Sequence, residues 1–276
     1  MVDAKFTSMG KKFTGITNFK NKFQGKKAIV CCSGTTLSSY VDADHPEDWI
    51  RIAVNEGIRK IADTADFWVL SDRAIVYEYA DLCKPHTTVL AMHESANFIQ
   101  RCEVPDIYTM NSMPLPPRSF DNGYEFFSRG TVMIGAIEMA RYMGIDEFYV
   151  FGLDCYRTES NYYYDGRTPE HTSERNPMGK RRGWAYNDGI LVSERLAKMI
   201  HVLDVVKESG LWKGIKVYCV NSPRSQQKAI PHMTLVELEE KGKTVAKVPS
   251  LVERGLEDYR KLKEEDSPAA TGENHG

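Results

Sequence analysis

Short, mainly apolar runs recur along the chain, and each closes on polar residues. Ala28-Ile29-Val30-Cys31-Cys32 runs into Ser33-Gly34-Thr35-Thr36-Leu37. Arg51 to Val54 ends at Asn55, Phe67 to Leu70 at Ser71-Asp72, and Thr87 to Met92 at His93. Phe148 to Phe151 ends at Gly152-Leu153-Asp154, and Ile215 to Val220 at Asn221-Ser222-Pro223. Runs without polar alternation are what strands buried on both faces of a parallel sheet require. Between them, Val132, Ala136, Met139, Ala140 and Met143 recur at helical spacing, and Gly144 stops the run where a residue with positive φ is wanted. A second apolar face, Leu191, Leu196, Met199, Ile200, Leu203 and Val206, predicts a helix starting at Asn187-Asp188-Gly189. The stretch Phe127 to Tyr156 reads as turn, helix, strand and strand-end loop, which is half of a βαβ unit.

These elements predict an α/β fold with a Rossmann-like, mostly parallel sheet and helices on both faces. Residues 1–26 read as a basic N-terminal arm, 27–250 as the catalytic domain, and 251–276 as a charged helix with a disordered tail. Asn111 to Phe120, with Pro114, Pro116 and Pro117, reads as a loop. The long polar segment at about 157–187 carries Tyr162, Tyr163, Tyr164, His171 and Lys180-Arg181-Arg182, a composition suited to a lid over an anionic ligand.

With 276 residues and 42% hydrophobic content the chain is long enough to bury a full core. A net charge of -2 argues against a wholly basic nucleic-acid binder. Charge is uneven, however: lysines interleave with Phe6, Phe13, Phe19 and Phe23 near the start, which suits either docking on the domain or a polyanion. The six cysteines show no CxxC spacing and sit largely in apolar runs, as small core residues of a reducing compartment do. Neither a signal peptide nor a long apolar run is evident, so the expectation is a cytoplasmic protein without stable membrane insertion.

In open α/β sheets ligands bind outside the carboxyl ends of the strands. Ser33, Gly34, Thr35 and Thr36 form a hydroxyl-rich turn able to meet phosphate, although the Lys of a Walker loop and the remaining glycines of a dinucleotide fingerprint are missing. Asn55, Ser71, Asp72 and Asp154 stand at other strand tips. Each has a plainer alternative: Gly34 an ordinary tight turn, Asp154 a turn cap, Asp188 a helix N-cap, His93 a hydrogen-bonded structural histidine.

The order of these motifs resembles the bacterial sialyltransferases of glycosyltransferase family 42 and the wider DUF115 and MptE-like group, over roughly Lys27 to Ser222. The family's Gly-Asn-Gly-Pro-Ser-Leu turn, which holds a cytidine nucleotide, corresponds to Cys32 to Leu37, with one glycine and the Asn changed. Its second-strand Asn corresponds to Asn55. Its Thr-Ser-Gly corresponds to Ser128-Arg129-Gly130, and its Gly-Ile-Asp-Phe-Tyr to Gly152-Leu153-Asp154-Cys155-Tyr156. A lid tyrosine falls at Tyr162 or a neighbour. The resemblance implies that Tyr156 and Tyr162 contact the donor phosphate. It implies a variant of the GT-A-like sialyltransferase fold with a lid. The family's catalytic His is replaced, by spacing, with Asp188, and His171 is the rival.

The implied activity is metal-independent, inverting transfer of a sugar from a CMP- or UDP-sugar to an acceptor hydroxyl. It needs no cofactor beyond the nucleotide-sugar co-substrate. Gly34, Thr35, Thr36, Asn55 and Asp154 would bind the nucleotide, lid cations such as Arg181 would neutralise the departing phosphate, and Asp188 would take the proton. One alternative is an MptE-like, Mg-dependent diphosphotransferase on a pterin, for which Asp72, Asp154 and Asp188 are the acidic candidates. Another is a DNA-modifying glycosyltransferase acting on a hydroxylated base, and a third is a nucleotide-binding module with a decayed site. The acceptor is thus a saccharide or DNA, and a homo-oligomer is left open.

Overall fold

The computed structural model describes residues 6–8, 11–13, 16–92, 107–113, 125–128, 131–155, 184–187 and 190–246. Strands β1 (Phe6–Ser8) and β2 (Lys11–Phe13) pair antiparallel. The main sheet begins with β3 (Lys27–Cys31), β4 (Ile50–Val54), β5 (Phe67–Leu70) and β6 (Thr88–Met92), interleaved with the short helices α1 (Ile58–Ile61) and α2 (Arg73–Tyr79). Then come β7 (Ile107–Met113), β8 (Glu125–Phe127), α3 (Val132–Tyr142) and β9 (Glu147–Phe151). Strands β10 (Trp184–Asn187) and β11 (Ile190–Ser193) precede α4 (Glu194–Glu208), followed by β12 (Lys216–Val220), β13 (His232–Met233) and α5 (Leu235–Ala246).

Among the described residues nine strands form one sheet, ordered β13-β12-β9-β3-β4-β5-β6-β7-β8, and every neighbouring pair is parallel. The chain starts in the middle at β3 and walks outward through β8. It then returns to lay β9 against the other side of β3. The strand order therefore reverses between β3 and β9, and a reversal opens a crevice where the connections leave in opposite directions.

Strand alternation divides the core into two layers. Ala28, Val30, Ile52, Val54, Phe148 and Val150 share one apolar cluster with Ile134, Ile137 and Met139 of α3 and Leu203 and Val206 of α4. On the other face Tyr149 stacks on Trp49 with ring centroids 4.7 Å apart, and Phe151 packs against Tyr40 at 5.1 Å. Ile16 and Phe19 are core residues of the first layer, and Phe19 and Phe23 meet Phe67 edge-on at 5.9 and 5.7 Å. The backbone of this segment is tied down too, with the Phe23 N–H donating to the Met143 carbonyl at 2.8 Å. Residues 16–26, expected within a basic arm, are built into the sheet's cover because their aromatics bury while Lys22 lies over two of the rings.

Two further expectations change. Residues 111–113 are strand rather than loop, since Asn111, Ser112 and Met113 pair with Glu125, Phe126 and Phe127. The helix expected from Asn187-Asp188-Gly189 begins instead at Glu194, because Trp184–Asn187 and Ile190–Ser193 form an antiparallel pair in which Asn187 faces Ile190. Asp-Gly between two such runs is a two-residue hairpin signal that outweighs the N-cap signal. The chain divides into two compact units, Met1–Leu235 with the sheet and Val236–Gly276 with nearly all of α5. The helix expected at Val252 to Glu265 and its tail lie outside the described residues, as do His93 and the lid segment up to Gly183.

One buried carboxyl stands out in the first layer. Glu138 of α3 is fully buried; its Oε1 accepts from Trp212 Nε1 at 2.8 Å, and its Oε2 has no partner. Burial, only partly offset by Arg141 and the indole, pushes this carboxyl up to about 7. A folded-state value above the unfolded 4.5 means the native state holds the extra proton between those two pH values. Stability from this group is therefore full below pH 4.5 and is lost as pH rises to about 7, by on the order of 3 kcal/mol. Glu138→Gln keeps an acceptor for Trp212 without the charge. Chemical denaturation from pH 4 to 8 is expected to show the variant gaining on the wild type as pH rises; parallel curves would contradict the assignment.

Candidate functional site

The carboxyl ends of β3, β4, β5 and β9 surround a cavity of about 330 Å³. Ser33, Gly34, Asn55, Ser71, Asp72 and Asp154 all line it, with Thr131 and Met133 from the start of α3 and Leu196 and Met199 from α4 closing the apolar side. Strand tips far apart in the chain thus meet at one place, where the strand order reverses.

Asp154 holds these tips together. It is 2% exposed, and its two oxygens accept four hydrogen bonds. Oδ2 takes Thr35 Oγ1 at 2.8 Å and the Thr36 N–H at 2.9 Å. Oδ1 takes Ser222 Oγ at 2.8 Å and the Thr36 hydroxyl. A carboxylate has about four acceptor positions, so Asp154 is saturated by the protein. Thr35 and Thr36, expected to offer hydroxyls to a phosphate, instead clamp Asp154 and do not line the cavity. Asp154 is accordingly a positioning residue that locks the β3 turn to the β9 and β12 tips.

The lock requires glycine at Gly34. Its N–H donates to the Gly152 carbonyl at 3.0 Å, and a Cβ there would sit 2.5 Å from that oxygen and 2.6 Å from Asp154 Oδ2. The turn's remaining N–H groups, those of Ser33 and Thr35, have no partner among the described residues. Ser33 reaches the cavity wall, so the turn keeps a donor for an anion there.

Asn55 ends β4 with φ +48°, a left-handed conformation Asn tolerates better than most residues. Its carbonyl accepts from Trp68 Nε1 at 2.8 Å and its Oδ1 from the Ser71 N–H at 3.3 Å. That fixes the amide so that its NH2 is the end left for a ligand. Cys155 and Asn221 also have positive φ, +57° and +51°, so backbone strain gathers at the tips of β4, β9 and β12. Asp72 caps α2 through the Ala74 N–H at 2.9 Å, the plainer role for an Asp before a helix. Burial pushes the thiols of Cys32, Cys155 and Cys219 above their ordinary range, so these neighbours of the crevice are inert packing groups.

Asp188, His171, Tyr156, Tyr162, Arg129, Gly130 and Arg181 lie outside the described residues. Sequence reasoning noticed the polar tip at Ser222 but not its part in the lock, and it treated Leu196 and Met199 only as a helix face. Ser222 lies 68 residues from Asp154, so no local signal joins them. Among the described residues no cluster of three His, Cys, Asp or Glu side chains forms a metal cage, and no helix is long and apolar enough to cross a membrane.

No protein-family model matches the chain, and no curated protein does. Among solved structures it is similar to the MAf glycosyltransferase of Magnetospirillum magneticum AMB-1, with TM-score 0.52 and 16% identity over 84% of this chain. The match spans 40% of that protein's length. A point variant of the sialyltransferase CST-II in complex with CMP aligns with TM-score 0.44 and 16% identity over 75% of this chain and 86% of that one. CstII from Campylobacter jejuni with the substrate analogue CMP-3FNeuAc gives 0.40 and 14% over the same shares. The fold is glycosyltransferase-like, an α/β Rossmann-like architecture.

The lock makes two substitutions informative. Asp154→Asn puts an NH2 against donors and is expected to lower the unfolding free energy by about 3 kcal/mol in urea denaturation. Gly34→Ala forces a Cβ against the Gly152 carbonyl and the Asp154 carboxylate and is expected to cost roughly 1–3 kcal/mol. Wild-type stability in both variants would show that the strand tips are not joined in this way.

Proposed function

We propose that the protein is a glycosyltransferase that moves a sugar from a nucleotide-sugar donor to an acceptor hydroxyl. The observation that carries this is the crevice at the strand-order reversal, with its preformed turn at Ser33-Gly34, its oriented Asn55 amide and its apolar wall of Met133, Leu196 and Met199. A volume of about 330 Å³ suits a nucleoside with its phosphate and leaves the sugar toward the open side. The likeness in fold to a MAf glycosyltransferase supports the same class.

In this account the Ser33 N–H and the Asn55 amide meet the nucleotide, with Ser71 beside them. Tyr156 and Tyr162 are assigned to the donor phosphate by motif position, Arg181 neutralises that phosphate as a lid cation, and Arg129 and Gly130 stand where the family's motif meets the donor. Asp188 is assigned as base, with His171 as the alternative: it takes the acceptor hydroxyl proton while the acceptor oxygen bonds to the anomeric carbon. The bond from that carbon to the phosphate oxygen breaks with inversion, and the nucleotide leaves as the anion. The acceptor is a saccharide by this reading.

A magnesium-dependent diphosphotransferase fits the crevice less well. Two of the three carboxylates it would need are engaged, Asp154 by four donors and Asp72 as a helix cap. Titration calorimetry with CMP, UDP and GDP and their sugars is expected to find one nucleotide that binds with a dissociation constant in the micromolar range, on the order of 10 μM. Asn55→Ala is expected to weaken it about tenfold. Asp188→Ala should cut turnover by roughly 100-fold or more, leave nucleotide affinity unchanged, and the wild-type rate should survive EDTA. Folded protein that binds none of the nucleotides would refute the proposal.

A further inference from the structure

A second cavity, of about 420 Å³, lies beside the amino-terminal half of β12, away from the crevice. Leu203 and Val206 of α4, Trp212, Ile215, Val217 and Ile230 give it an apolar lining, and it shares no residue with the strand-tip cavity. Three lysines, Lys207, Lys213 and Lys216, line it and no carboxylate does. The Lys213 side chain is exposed with no partner among the described residues, and Lys207 Nζ reaches only a backbone carbonyl, at 3.3 Å; the Lys216 side chain, 65% exposed, pairs with Glu147 at 3.5 Å.

The sheet is incomplete along this cavity, and a proline is the reason. β9 pairs with Lys216, Val217, Tyr218 and Cys219 of β12, but β13 pairs only with Cys219 and Val220. On the β13 side the Cys219 N–H donates to the Pro231 carbonyl at 2.9 Å. The next step of a parallel ladder would need an N–H from residue 231 to the Val217 carbonyl, and proline has none. Lys216 points its N–H at Asp146 on the β9 side, at 2.7 Å, so the N–H and C=O of Val217 face the other way. Among the described residues no strand receives them.

We propose that this edge is a docking site for a short, extended acidic peptide segment of a partner protein. The segment would add a strand beside Val217, exchanging main-chain hydrogen bonds with its N–H and C=O. It would set one apolar side chain into the cavity between α4 and Trp212, and its carboxylates would meet Lys207 and Lys213, whose ammonium groups face no carboxylate among the described residues. An unpaired main-chain donor and acceptor in one plane select an extended chain over a small apolar ligand, and the lysine rim selects its charge.

The test uses the full-length protein and a fluorescein-labelled hexapeptide, Asp-Leu-Glu-Val-Asp-Leu, with fluorescence anisotropy as the readout. Saturable binding is expected, and it should weaken on raising the ionic strength to about 0.5 M. Methylating the peptide's main-chain nitrogens is expected to weaken it about tenfold, a change that leaves the protein untouched. The double variant Lys207→Glu with Lys213→Glu is expected to weaken it at least about tenfold while its circular dichroism and nucleotide affinity stay those of the wild type. No binding up to about 1 mM peptide would overturn the proposal. So would equal affinity for the methylated peptide, or complete displacement of bound peptide by dodecanoate together with loss of the methylation effect.

Discussion

A single buried carboxylate decides how the strand ends of this protein meet. In an open parallel sheet the loops leaving neighbouring strands have no backbone ladder to join them, so something else must hold them in register. Here Asp154 does so, gathering the β3 turn through Thr35 and Thr36 and the β12 tip through Ser222. Burying a carboxyl group this deeply is tolerated when its acceptor positions are filled, and the four donors to Asp154 fill them. The Gly34 N–H bond to Gly152 completes the junction at backbone level. The cavity in front inherits its shape from that junction, with the turn already formed.

The same economy runs through the rest of the crevice. Asn55 accepts the strain of a positive φ because the Trp68 indole and the Ser71 N–H pin it from behind. Strain at Cys155 and Asn221 follows the same geometry: chains that must turn sharply off a strand to make room for a ligand do so in the left-handed region. Donors kept free and donors used for the scaffold are adjacent in sequence. Ser33 faces the cavity, and Thr35 and Thr36 face Asp154.

What was legible in the sequence follows from where the signal is local. The strands around Val30, Ile52, Val69 and Val150 are mainly apolar runs because both faces are buried, and these, with the half-buried strand around Cys219, appear where the pattern put them. The helix stopping at Gly144, with φ +96°, was equally legible. The sheet's margins were not: Asn111 and Ser112 run past the end of β6 and pair only with β8, where less apolar content is demanded, and the edge strand β13 is two residues long. At Asn187 two local signals competed, an N-cap and a hairpin turn, and pairing with Ile190 decided for the hairpin. The convergence of Gly34, Asn55 and Asp154 was readable from strand-end position, but the division of labour among them was not. Saturation of Asp154 depends on donors 68, 118 and 119 residues away.

On the proposed function, the junction at Asp154 presents a preformed nucleotide site at the strand-order reversal. The most direct measurement is a crystal structure of the protein soaked with the nucleotide it binds. The expected result is the base and phosphate between Ser33, Asn55 and the α4 wall, with Asp154 still bonded to Thr36 and Ser222. A nucleotide bound elsewhere on the fold, or one that takes Asp154 away from those partners, would contradict it.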